Sequence, residues 1–71
     1  MGIGQTDEEK YTETLLVANA MIRFGGSFVK LLGQALLHAD HINTEKIKRT
    51  FSDYWIKYLT MAQQDKQRKE D

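Results

Sequence analysis

His38 and His41 flank Asp40, and their types and spacing are the first in this chain that could do chemistry. On one continuous helix, two histidines three apart could offer two nitrogen ligands to a metal ion. The helix expected here ends near Ala39, however, and no third ligand is marked elsewhere in the chain. The pair therefore reads as surface histidines near a helix C-terminus, where partial positive charge is favourable. Gly25-Gly26-Ser27 could present free backbone N–H groups to an anion at a helix start. The phosphate-loop spacing is absent, since Lys30 is followed by Leu31 and not by Ser or Thr, so a capped hinge between helices outweighs an anion site. With no Cys, no Gly-x-Ser-x-Gly elbow and no paired-carboxylate signature, nothing marks a nucleophile or an acid–base pair. A chain of this size also lacks depth for a pocket of ordinary ligand volume. No catalytic residue, cofactor or metal ligand is assigned, and enzymatic activity is disfavoured.

Lys46, Lys48 and Arg49, with Lys57 further on, form the basic cluster. The second and third helical segments around a short turn have helix-turn-helix spacing, which would expose Thr44, Glu45, Lys48 and Arg49 near the start of the third. Glu45 would face phosphate, and no row of Gln, Asn or Arg suited to reading bases accompanies the cations. A solvated face is the simpler reading, and DNA binding through Lys46, Lys48 and Arg49 is the alternative function. Tyr54, Trp55 and Tyr58 share one helical face. If exposed, they would form a recognition hot spot, and if buried, an ordinary aromatic core. For Trp55 and Tyr58 the two readings weigh equally.

The elements that position these residues are helices. Thr6 to Phe24 reads as the first, opened by the capping box Thr6-Asp-Glu-Glu9, with Asp7, Glu8 and Glu9 at the positive end of its dipole. Its apolar residues form two stripes, Tyr11, Leu15, Ala18 and Ile22 on one side and Val17, Ala20, Met21 and Phe24 on the next, with Leu16 beyond. One stripe suffices to pack on one partner, so two imply cover from two directions. Asn19 among them reads as a satisfied polar contact, with an interface register marker as the alternative. Gly25-Gly26 suit a left-handed C-terminal cap, and Ser27 suits the N-cap of a second helix reaching Ala39. Gly33 inside that helix costs about 1 kcal/mol relative to Ala, which predicts a close helix crossing over it. Asn43 or Thr44 is expected to cap a third helical region running to roughly Gln64. If Ser52 opens a new N-cap, that region becomes two helices, 44–51 and 53–64.

The chain has 71 residues, no Cys and no Pro. That is one domain with a small core, and disulfides and thiolate zinc sites are excluded as supplements. Self-association is then the favoured supplement. No apolar run approaches the ~20 residues that span a bilayer, and Met1–Gln5 lacks the pattern of a signal peptide, so a cytoplasmic location is expected. Formal net charge is zero. Residues 1–29 carry −2 and residues 30–64 carry +2, while 65–71 balance. That polarity suits self-pairing better than the strong basic field of a nucleic-acid binder.

Phe24-Gly-Gly-Ser-Phe28, Leu32-Gly-Gln-Ala-Leu36, Ala39-Asp40 and Phe51-Ser-Asp-Tyr-Trp55 with Tyr58 carry a resemblance over about half the chain. In these residues the chain resembles small uncharacterised helical proteins encoded by bacteriophages and prophages, which share Gly-Gly-Ser-Phe, an Ala-Asp turn and Phe-Pro-x-Tyr-Trp-x-x-Tyr. Ser52 stands where that pattern has Pro, and both residues suit a helix start. The resemblance implies a mobile-element origin and transfers no activity, ligand or site.

The expected architecture is all-α. It is a small bundle of three main helices, or four with a break near Ser52, completed by oligomerisation, with a dimer favoured. Residues 1–5 form a flexible arm, 6–64 one helical domain and 65–71 a polar disordered tail. The expected function is non-enzymatic binding of another protein, a host factor or assembly partner, or of a second copy. Trp55, Tyr58, Tyr54, Leu16 and Phe24 are the candidate contacts.

Overall fold

The computed structural model describes the backbone of residues 7–70 and the side chains of residues 12–65. The Thr6 capping box, the 1–5 arm and the side chain of Tyr11 lie outside the described residues. Among the described residues every regular element is a helix, joined by short junctions, with no strand. It comprises α1 (Asp7–Phe24), α2 (Ser27–His38), α3 (His41–Thr50) and α4 (Ser52–Glu70).

Four helices replace the three main ones because the third region breaks at Phe51. Its dihedrals, φ −114° and ψ 46°, leave the helical region. The break leaves no orphaned backbone at that residue. The Phe51 N–H donates to the Ile47 carbonyl at 2.8 Å, and the Phe51 carbonyl accepts from the Trp55 N–H at 2.9 Å. α4 then runs past Gln64, where the sequence reading ends it.

The caps differ from expectation. Asp40, not Asn43 or Thr44, caps α3: its Oδ1 accepts the Asn43 N–H at 2.8 Å. With its carboxylate satisfying that free donor, the helix starts earlier, at His41. Ser27 is the first residue of α2, and its N-cap is Gly26, which has no side chain to contribute. Neither Gly25 nor Gly26 is left-handed, since among the described residues no glycine has positive φ.

Close approach explains two of the glycines. A Cβ on Gly33 would stand 2.7 Å from the Ala18 carbonyl oxygen and 2.9 Å from Met21 Cβ, so α2 lies directly on the α1 backbone there. A Cβ on Gly25 would meet the Met21 carbonyl oxygen and Val29 Cγ1, both at 2.6 Å.

α1 is the centre of the fold and packs chiefly against α2 and then α4, while α3 touches α4 and α2 more lightly. Two contacts set the direction of α4. Glu13 meets Trp55 and Arg23 meets Asp65, each pair 42 residues apart. A constant offset means that α4 runs parallel to α1. The core is Val17, Ala18, Ala20 and Met21 from α1, Val29 and Leu36 from α2, and Trp55 and Tyr58 from α4. Leu32, Ile47, Leu59, Met61 and Ala62 pack around it. Apart from Phe24, which keeps 43% of its surface, the described residues of the two stripes are thus covered from two directions within one chain, by α2 and by α4.

Candidate functional site

Trp55 and Tyr58 retain 4% and 5% of their surface, so both belong to the core of the single chain. The indole explains the geometry beneath it. A buried Trp N–H needs an acceptor, and Trp55 Nε1 donates to Glu13 Oε2 at 2.8 Å. Lys48 Nζ lies 3.3 Å from the same oxygen and 5.3 Å from the centroid of the Trp55 ring. One carboxylate thereby ties α1, α3 and α4 together. Glu13 was not singled out from sequence, although its helical spacing from Val17 and Ala20 places it on an otherwise apolar stripe.

This knot also divides the basic cluster. Lys48 is turned onto Glu13, whereas Lys46 and Arg49 remain exposed. They share a shallow groove on α3 with His41, Ile42, Glu45 and Thr50. The row of three cations expected for DNA contact is therefore reduced to two, Lys46 and Arg49, with Glu45 immediately before the first of them.

Tyr54, one residue before the buried indole, is exposed and belongs to a cluster of three rings. Its centroid is 6.2 Å from Phe51 and 6.3 Å from Phe28, and Phe28 meets Phe51 edge-on at 5.8 Å. At these separations the rings touch one another and leave no cage for a cation between them. Phe28 keeps 56% of its surface and Tyr54 keeps 36%. Sequence reasoning did not mark Phe28 as a contact residue.

Phe24 and Leu16 lie elsewhere, in a groove of about 210 Å³ between α1 and α4 lined also by Asn19, Ala20, Arg23, Ala62 and Asp65. Arg23 bridges this groove to Asp65 at 3.4 Å. Phe24, 43% exposed, also lines a neighbouring recess with Met61, Gln64 and Asp65. Of the five candidate contacts, expected on the aromatic face around Trp55 and on the outer stripe of α1, the structure buries Trp55 and Tyr58, puts Tyr54 in the ring cluster, and sets Leu16 and Phe24 in the α1–α4 groove.

The link between the last two places is α4. Tyr54 and Met61 are seven residues apart and so share a face of that helix. Met61 borders Phe24, and Tyr54 borders Phe28. Phe28, Tyr54, Met61 and Phe24 therefore mark out a strip along one side of α4, with Met61 half-buried against the core between the two exposed ends.

His38 ends α2 and His41 begins α3, and both are exposed. His41 is thus at a helix N-terminus, not the C-terminal setting expected for it. Among the described residues, no group of three or more His, Asp or Glu side chains could hold a metal ion. No described helix is long and apolar enough to cross a membrane. Compared with known proteins, the chain matches no family model, no curated protein and no solved structure.

Proposed function

We propose that the chain is a non-enzymatic interaction module that docks a protein surface on the strip formed by Phe28, Tyr54, Met61 and Phe24. The observation that carries this reading is the ring cluster on the outside of a fold whose own core is already filled. Exposed aromatic rings beside a helix pair are the usual material of an interaction hot spot. The resemblance to phage and prophage proteins supports a role in a host cytoplasm, as a ligand for a host factor or an assembly partner. The alternative, a DNA-binding regulator, rests on Lys46 and Arg49 once Lys48 is committed to Glu13. It would show as retention on DNA that weakens steeply with salt.

The test is a capture experiment comparing the native chain with a Phe28→Ser/Tyr54→Ser variant. Neither position belongs to the buried core, with Phe28 keeping 56% and Tyr54 36% of its surface, so the variant keeps its helical circular dichroism. Partners retained by the native chain and lost by the variant support the reading. An identical set of partners from both overturns it.

A further inference from the structure

We infer that the outer face of α2 is a surface for self-association, on which a second copy of the chain lies antiparallel with the two-fold axis level with Gly33. The inference stands apart from the docking reading above, and the two share only Phe28.

α2 carries more apolar surface than its own chain covers. Val29, Gly33 and Leu36 are buried and Leu32 is half-buried against the core, whereas Phe28, Leu31, Ala35 and Leu37 are exposed. Leu31 keeps 63% of its surface and Phe28 keeps 56%. One stripe is enough for a helix to pack on one neighbour, and that stripe is spent on α1. A second, open apolar stripe on the same helix marks a contact made with another molecule.

The open stripe is Phe28, Leu31, Ala35 and His38, all four exposed. Their spacings of three, four and three are those of a two-helix seam. Such a stripe reads the same from either end, so a copy laid antiparallel sets Leu31 against Ala35 of the second copy and Phe28 against His38 of the second copy. The sizes favour this direction. Each middle layer holds one leucine and one alanine, which interdigitate, and each outer layer stacks one ring on another. A parallel copy would set alanine on alanine and leave a gap in the middle of the seam.

Charge and area point to the same partner. Lys30 carries the formal charge of α2, which has no acidic residue. A partner selected by charge has little to meet there, whereas an identical apolar stripe does. Lys30 comes level with Leu36 of the second copy, so the two ammonium groups stand about 9 Å apart along the seam, at 1.5 Å per residue. The whole chain has zero formal net charge, a condition that favours association. The 12 residues of α2 give a seam about 18 Å long. A single-helix seam of that length does not exceed the ~1,000 Å² that a tight specific interface must clear, so the dimer is weak and exchanges readily with monomer.

The experiment is sedimentation equilibrium, from micromolar to millimolar concentration, on the native chain, Leu31→Ala, Ala35→Leu and the double variant. Both positions are exposed, and thermal melts confirm that each monomer stays folded. The expected native mass rises from 8.2 kDa towards twice that value as concentration approaches the millimolar range. Each single change weakens the dimer about tenfold, because the two-fold repeats a gap or a crowded layer on both sides of the axis. The double variant restores it, since each middle layer again holds one leucine and one alanine. A native chain that stays monomeric at millimolar concentration overturns the inference. So does a dimer indifferent to the single changes, a dimer tightened by Ala35→Leu, or a double variant no stronger than the singles. These variants leave Tyr54, Met61 and Phe24 untouched. A monomer that still loses its captured partners in Phe28→Ser/Tyr54→Ser overturns the second copy and keeps the docking reading. A Leu31-dependent dimer whose captured partners are the same with and without the Phe28/Tyr54 change does the reverse.

Discussion

Glu13 accepts from the Trp55 indole and faces the Lys48 ammonium through one oxygen, and this defines what its loss must do. Glu13→Ala leaves a buried N–H without that acceptor and a lysine without its counter-charge. A loss of about 1–3 kcal/mol is expected, read as a lower urea midpoint with an unchanged slope. Glu13→Gln keeps a carbonyl oxygen for the indole, so its loss should be the smaller of the two. If the two variants lose equal stability, the indole bond is not what matters at this position. Gly33 and Gly26 form a second contrast. Alanine in a helix interior is worth up to about 1 kcal/mol over glycine, yet at Gly33 the added methyl meets the Ala18 carbonyl and Met21. Gly33→Ala should therefore destabilise by about 1–3 kcal/mol, as overpacking does. Gly26 has open space and a negative φ, so Gly26→Ala meets no clash; alanine's poorer fit to the N-cap position opposes the gain from a stiffer unfolded chain, and the net change should stay within about 0.5 kcal/mol of zero. A thermal melt of Gly33→Ala shifted down no further than that of Gly26→Ala would refute the contrast.

At the scale of the element, α3 is held least firmly: it is ten residues long and contributes no fully buried side chain. Its start depends on the Asp40 carboxylate. Asp40→Ala should cost about 1 kcal/mol, and Asp40→Asn little. The measurement is hydrogen exchange at the Asn43 amide, which accelerates in the alanine variant and stays slow with asparagine. Helix identity was readable from the chain because apolar periodicity is strong, and the crossing over Gly33 was readable because a helix interior tolerates glycine only for a reason. The caps were less legible. Asp40, Asn43 and Thr44 are all competent caps, and the choice among them depends on where α3 must begin in order to set Ile47 against the core. The break at Ser52 was legible as an alternative, because a serine followed by aspartate is a local signal. The fate of the aromatic residues was not. Tyr54, Trp55 and Tyr58 differ by one to four positions, and which of them turns inward depends on the side of α1 against which α4 lies. No local pattern encodes that choice, which is made by contacts between distant residues.

For the whole molecule, the offset shared by Glu13–Trp55 and Arg23–Asp65 makes α1 and α4 parallel neighbours, with α2 and α3 forming the return between them. Val17, Ala20 and Met21 of the second apolar stripe of α1 are buried within the chain, and of that stripe only Phe24 stays exposed, so most of its surplus no longer argues for an outside partner. What remains open is the aromatic strip. Stability should be modest, about 4–10 kcal/mol at ordinary values per residue for a chain of 71. The same parallel offset also constrains the order of events in time. The α1–α2 contacts close short loops, whereas every α1–α4 contact must await closure of a long one, and loop closure of that kind slows the steps that need it. The transition state should accordingly resemble a formed α1–α2 pair with α4 still searching for its groove. Val29→Ala, beside Gly25 in that pair, should chiefly slow refolding, whereas Leu59→Ala on α4 should chiefly hasten unfolding. Stopped-flow emission of Trp55 reports both limbs, since the indole is buried only once α4 has docked. The opposite pattern of rates would mean that the last helix of the chain is among the first to find its place.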